Sequence, residues 1–322
     1  MQATEEHIIE LINEAIYSIK YPEIAEGLYE PIKYTLESGG KRLRPRLLLA
    51  SYGAFSSDKP IQDALPQALG IEIFHNFTLL HDDVMDHADL RRGRPTVHRR
   101  WNVNQAILSG DAMLTLATQY MSQTSDKMVG KVLHIYNKAA AEVYQGQQLD
   151  MDFETRQNVS VEEYIEMIRL KTSVLLGAAC EIGAYLAGAN EEACEALYNY
   201  GINLGLAFQL KDDLLDTFGD PLEFGKEIGG DILNLKKTWL LITALNESPS
   251  EIKDIIENVS DPKEKIEKVI NVYNSLNLRS RCHELINDYI SRAMDAIKGI
   301  DMNGIHRDYF IMLAQKSALR TH

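Results

Sequence analysis

"LLHDDVMDH", residues 79–87, closes an apolar run with three aspartates, and "QLKDDLLDTFGD", residues 209–220, repeats the arrangement much later in the chain. The residues leading into each cluster recur at helical period, so both clusters read as helix ends, the first closing one long helix from about Pro60 to Asp86. Asp82 and Asp86 stand at i and i+4 and share a face, as do Asp212 and Asp216, while Asp83 projects about 100° round from Asp82. The C-terminal end of a helix carries partial negative charge on its unpaired carbonyls, so carboxylates gathered there repel both one another and the helix. Cations relieve that repulsion.

A single such cluster is more often a solvated acidic turn. Two copies, each entered by apolar residues ("FTLL" and "GLAFQ"), argue instead that each acidic face enters a crevice. A donor set of oxygens alone, without His or Cys, selects a hard ion, and carboxylates that leave room for water and phosphate suit Mg²⁺ better than a closed Ca²⁺ cage. Neither cluster has the spacing of an EF-hand loop. Two sites of this kind facing each other would grip a diphosphate.

The rest of the chain reads at the same helical period. "HIIELINEAIYSI" sets Ile8, Ile9, Ile12, Ile16 and Ile19 on one stripe, and "IEKVINVYNSL" repeats the pattern. Alternating β-branched runs and Asn-Gly or Asp-Gly hairpin turns are lacking, so about a dozen helices and no convincing strands are expected. Breaks such as "ESGGKRLRP", "ADLRRGRPT" and "NESPS" are too short to be interdomain linkers. The expectation is an all-α helical bundle forming a single domain over residues 1–322.

Composition bounds the function. Hydrophobic residues at 45% and charged residues at 25% describe a folded globular chain, and a formal charge of -14 argues against a general nucleic-acid binder. Yet "KRLRPR" (41–46) and "LRRGRPTVHRR" (90–100) concentrate four and five basic residues in an acidic chain. Such islands suit a small anionic ligand in a pocket. Cys180, Cys194 and Cys282 are scattered, which indicates neither disulfides nor zinc. With no signal-peptide pattern and no apolar run of membrane-spanning length, a cytoplasmic location and no transmembrane segment are expected.

Taken together, "GGKRLRPRLLL", "HNFTLLHDDVMD", "LRRGRPTVH", "KTSVL", "FQLKDDLLD" and "GDPLEFGKEIGGD" resemble the trans-isoprenyl diphosphate synthases, the polyprenyl synthetase family, in the family's own order. The resemblance implies a bundle around a deep central cavity, a homodimer, and condensation of an allylic diphosphate with isopentenyl diphosphate, releasing pyrophosphate. It implies three Mg²⁺ ions bridged by Asp82, Asp86 and Asp212, with Asp83, Asp213 and Asp216 as further ligands or supporting acids. Lys41, Arg44, His75 and Arg92 match the family's isopentenyl diphosphate site. Arg91, Lys171, Thr172, Gln209, Lys226 and Lys236 match positions that contact the allylic diphosphate or its developing cation, with Lys171, Thr172 and Gln209 nearest the chemistry. No side chain stands out as a general base, a role the family gives to the departing pyrophosphate.

Several residues carry a second reading. His75 lies seven residues before Asp82 and so on nearly the same face, yet an isolated helical histidine is also an ordinary core imidazole. "RLKTS" is expected to interrupt a helix and expose the carbonyl of Lys171. Leu235 occupies a position where the family has glycine, which leaves Lys236 and Lys237 as rivals for one role. Phe77 and Phe74 stand about 7.5 and 12 Å below Asp82 along the helix axis, where they would floor the path of a growing chain; one aromatic beside the small Thr78 resembles the family's synthases of intermediate length, which implies a C20 product rather than C15 or longer. Phe77 reads equally as core packing.

Three other functions share parts of this pattern. A terpene cyclase has one DDxxD but lacks the "GGKRLRP" site, and an HD-type phosphohydrolase needs further histidine ligands that the sequence does not offer. A non-catalytic partner subunit usually loses motif residues that this chain keeps.

Overall fold

The computed structural model describes residues 5–56, 59–219 and 228–319, which are mostly α-helix. The chain forms two compact units, each assembled from separated stretches. The first comprises residues 1–137, 178–195 and 301–306, and the second residues 138–177, 196–300 and 307–322.

In the first unit lie α1 (Glu5–Tyr17), α2 (Glu26–Leu36), α3 (Leu43–Phe55), α4 (Leu65–Met85), α5 (Val97–Arg100), α6 (Val103–Met121) and the start of α7 (Asp126–Thr155). Ile8, Ile12 and Ile16 of α1 are buried at i, i+4 and i+8, the stripe its sequence predicts. Ile9 is only half-buried, and Ile19 lies beyond the end of the helix. Helix α4 is buried on most of its circumference, which explains its weak apolar-polar contrast; Gly70 lets it approach the Ala117 carbonyl of α6.

The single helix expected from Pro60 divides. Ile61–Ala64 forms a 3₁₀ turn, and α4 begins only at Leu65. Pro66 accounts for this: without an N–H it fits the first turn of a helix but breaks the ladder of a longer one. Against the expectation of no strands, Leu90–Arg91 pairs antiparallel with Arg94–Pro95. Arg92 and Gly93 between them both have positive φ, 54° and 72°, the left-handed pair of a type I′ hairpin turn. With Arg in place of the usual Asn or Asp, this turn has no sequence signal.

The second unit holds α8 (Val161–Ile168), the start of α9 (Val174–Ala187), most of α10 (Glu191–Phe218), then α11 (Gly230–Leu233), α12 (Trp239–Glu247), α13 (Pro249–Asn258), α14 (Pro262–Ser275), α15 (Leu278–Ala296) and most of α16 (Gly304–Leu319). A capping box of Ser160 and Glu163 starts α8. The expected interruption at "RLKTS" is a π-turn, Arg169–Ser173, between α8 and α9. Two glycines make room for it. A Cβ on Gly146 of α7 would collide with the Lys171 backbone, and one on Gly205 of α10 would stand 2.6 Å from Ser173 Cα. Val161–Ala187 is long and apolar enough to cross a membrane, but 72% of its most apolar stretch is buried, as befits a core segment.

Candidate active site

In the first unit, α4 ends at Met85 with Asp86 as its cap, so the three aspartates take distinct positions. Asp82 is half-buried, Asp86 exposed and Asp83 buried. Arg91 accounts for Asp83: its Nε donates to Oδ1 at 2.6 Å, while its Nη2 lies 3.5 Å from Asp82 Oδ2. Burial pushes Asp83 up to about 6, and the guanidinium pulls it the other way. Asp82 and Asp86, the i,i+4 pair, are more accessible than Asp83.

A cationic region lies beside this motif. Arg92 donates to Ser38 Oγ at 3.2 Å and to the Gly39 carbonyl, and it packs so closely on Gly40 that a Cβ there would stand 2.8 Å from its Nη2. Arg44 presents a buried Nε without a partner among the described residues, and burial lowers its pKa to about 10. His75 is held neutral, well below the usual imidazole range, first by burial and then by the charges of Arg44, Arg92, Arg91 and Arg42. Guanidiniums around a neutral imidazole are chemically suited to hold an anion. Lys41 is exposed at its edge. The other basic residues of "KRLRPR" hold the fold together: Arg42 pairs with buried Glu72 at 2.7 Å, and Arg46 pairs with Glu5.

Below the motif, Phe74 is fully buried and Phe77 is 6% exposed, with ring centroids 5.6 Å apart. Tyr136 meets Phe74 edge-on at 5.4 Å, and His81 meets Phe77 at 4.8 Å. Thr78 turns its hydroxyl back to the His75 carbonyl at 2.8 Å.

In the second unit, Asp213 is the buried middle acid and Asp212 and Asp216 are half-buried. Its Oδ2 accepts from Tyr164 at 2.5 Å and its Oδ1 from Gln209 Nε2 at 2.9 Å. Thr172 Oγ1 donates to Gln209 Oε1 at 2.9 Å, which joins the π-turn to the motif. Burial raises the Asp213 pKa, against the hydrogen bonds from Tyr164 and Gln209. Asp216 Oδ2 accepts from the backbone N–H of Asp231 at 2.9 Å, and the Asp231 carboxyl is pushed up by burial and by Asp213.

Lys171 Nζ pairs with Asp150 at 2.5 Å. Burial works to raise the Asp150 pKa, and the charges of Lys236 and then Lys171 bring it below the ordinary value; Lys236 acts on Asp213 and Asp231 as well. Lys237 instead donates to the Leu235 carbonyl at 3.3 Å. Leu235 takes φ 51°, the left-handed conformation a glycine adopts freely, so the backbone turn is kept despite the side chain. Lys226 lies outside the described residues. Glu72, Tyr136, Asp150, Tyr164 and Asp231 are site neighbours that sequence reasoning missed. Asp150 and Asp231 had a signal, as acids beside "QGQQL" and inside "EIGGD"; the others had none.

The donor set fits a hard divalent ion. Each unit offers an i,i+4 pair of carboxylates, with the middle acid engaged elsewhere. Among the described residues no three His, Cys, Asp or Glu side chains converge as a ready-made cage, so oxygens from a ligand would have to complete the coordination.

The chain is also similar to known proteins. Residues 25–276 match the family model described as polyprenyl synthetase. The chain is 38% identical over 315 residues to the geranylgeranyl pyrophosphate synthase of Geoglobus acetivorans, spanning 97% of each protein. A solved geranylgeranyl pyrophosphate synthase superimposes with a TM-score of 0.93 at 40% identity, covering 98% of this chain and 99% of that one. A polyprenyl synthase from Caulobacter crescentus CB15, solved with calcium and isoprenyl diphosphate, superimposes with a TM-score of 0.87 at 29% identity over 98% and 96% of the two chains.

Proposed function

This chain belongs to the polyprenyl synthetase family and is a trans-prenyltransferase, and from that premise we propose that it extends an allylic diphosphate with isopentenyl diphosphate to the C20 product, geranylgeranyl diphosphate. The observation that carries the reading is the pair of aspartate motifs, each with two carboxylates on one face and its middle acid turned inward.

Asp82 and Asp86 in one unit, and Asp212 and Asp216 in the other, would hold magnesium. Bound there, magnesium supplies Lewis-acid neutralisation of the departing diphosphate. Arg44, Arg92 and Lys41 hold the diphosphate of the second substrate by charge-assisted hydrogen bonds, and a neutral His75 among them still has one ring N–H to give to a phosphate oxygen. Lys171 and Lys236 bring positive charge to the allylic diphosphate, a reading supported for Lys236 over Lys237 by its acidic neighbours. As the allylic C–O bond breaks, Thr172, Gln209 and the Lys171 carbonyl offer oxygen lone pairs to the developing carbocation. The isopentenyl double bond forms the new C–C bond, and the resulting cation loses a proton to the released pyrophosphate. The protein positions reactants and forms no covalent intermediate of its own.

Phe77, Phe74 and Thr78 set the product length. The aromatic stack beneath Asp82 supports a floor at intermediate depth. A homodimer is part of the same proposal, supported by Val103, Ile107 and Leu108, apolar side chains of α6 that are 47%, 44% and 57% exposed. Product chromatography with each allylic primer tests the reading. A C20 end product that lengthens in Phe77→Ala is expected, whereas a C15 end product, or an unchanged length in the variant, contradicts the floor.

A further inference from the structure

The hydrogen bonds around Asp213 have a direction, and the direction has a consequence for catalysis. A carboxylate only accepts. Asp213 therefore makes its two neighbours donors: Tyr164 gives its hydroxyl proton to Oδ2 at 2.5 Å, and Gln209 gives an amide N–H to Oδ1 at 2.9 Å. With its NH₂ committed to Asp213, Gln209 has its carbonyl oxygen towards Thr172, and Thr172 donates to it at 2.9 Å. The Thr172 hydroxyl proton is thereby used up, and only lone pairs remain on its oxygen for any further partner. All protons in the chain run towards the acid.

We infer that Tyr164 is a positioning residue of the prenyl-transfer reaction: with Asp213 it orients Gln209 and Thr172 so that oxygen lone pairs, not hydrogens, are presented to the positive charge of the reacting prenyl group. This rests on the functional reading above and assigns Asp213 an orienting role, since each of its oxygens accepts a hydrogen bond from a neighbouring side chain. Buried Tyr164 lies far from the motif in sequence and touches no substrate group in this account. Reversing the chain would aim the Thr172 proton at the cation, which repels it.

The test is steady-state kinetics on the full-length enzyme with magnesium, isopentenyl diphosphate and an allylic primer, together with thermal unfolding of each variant. Tyr164→Phe keeps the ring and removes one donor, so kcat should fall about tenfold with KM for isopentenyl diphosphate unchanged. Asp213→Asn should fall further, on the order of a hundredfold, because its amide replaces one of the two acceptors by a donor, facing either Gln209, which turns the chain round, or Tyr164, which loses its acceptor. Combining Asp213→Asn with Gln209→Glu restores both the acceptor facing Thr172 and the net charge, and should recover at least tenfold over Asp213→Asn alone. A double variant no faster than Asp213→Asn, as expected for a lost metal ligand, overturns the inference. So does wild-type kcat in Tyr164→Phe, which decides the matter even if Asp213→Asn fails to fold. Wild-type enzyme that elongates no prenyl chain would contradict the functional reading instead.

Discussion

The two aspartate motifs share a spacing and differ in what holds their middle acid. Asp83 is paired with a guanidinium, Arg91, whereas Asp213 is held by two neutral donors, Tyr164 and Gln209. The ion pair compensates the charge of Asp83 and fixes the end of α4 beside the hairpin that carries Arg91 and Arg92. Neutral donors fix Asp213 and leave its charge to act on its surroundings. One arrangement secures a local structure; the other passes an orientation on to the π-turn.

The difference separates which substitutions injure catalysis from which injure stability. The largest effects fall on the more accessible acids, where the motifs behave alike. Asp82→Ala and Asp212→Ala should each lower kcat on the order of a thousandfold, read by steady-state kinetics at saturating magnesium. A clear loss in only one of them would break the equivalence of the two motifs.

The middle acids respond differently. Arg91→Ala strands a buried carboxylate and should destabilise the protein by about 2 kcal/mol in urea unfolding, a figure reduced because Arg91 is a third exposed. Tyr164→Phe removes one neutral donor and should cost about 1 kcal/mol in the same measurement. Equal losses would remove the distinction.

A pH series sharpens it. Asp83 stands at about 6 in the fold against its ordinary 3.8, so between those values the folded protein binds more proton than the unfolded chain. Stability from this group therefore falls as pH rises across that window. In metal-free buffer, the stability advantage of the wild type over Asp83→Asn should shrink from the lower end of the window to the upper. A difference that stays constant with pH would show that Asp83 is not raised.

The smallest effect concerns the turn before Lys236. Leu235→Gly relieves a left-handed non-glycine residue but adds chain entropy to the unfolded state, so stability should rise by less than about 1 kcal/mol. A loss of stability would mean that the Leu235 side chain contributes packing that outweighs its backbone cost.

How much of this was legible in the sequence depends on the range of the forces involved. Helical period and the i,i+4 rule placed Asp82 and Asp86 on one face without any knowledge of the fold, and the "RLKTS" interruption followed from resemblance at a single stretch. Arg42 and Arg44, two residues apart in one basic island, could not be told apart: only packing gives Arg42 to Glu72 and leaves Arg44 Nε without a partner among the described residues. Tyr164 was illegible for the same reason. It reads as one more apolar-face aromatic of α8, and its hydroxyl acquires a role only because α10 brings Asp213 within hydrogen-bonding distance. The hairpin at Arg92 and Gly93 was missed because its strands are two residues long and its turn lacks the residue type that usually signals it.

The central claim is that two acid motifs and their basic neighbours ionise and extend a prenyl diphosphate. Pyrophosphate release from purified protein given an allylic diphosphate and isopentenyl diphosphate, followed with magnesium and again with excess chelator, tests it most directly. The account predicts one pyrophosphate for each C5 unit added and no release once the metal is sequestered; elongation that continues unchanged in chelator, or none in magnesium, would contradict it.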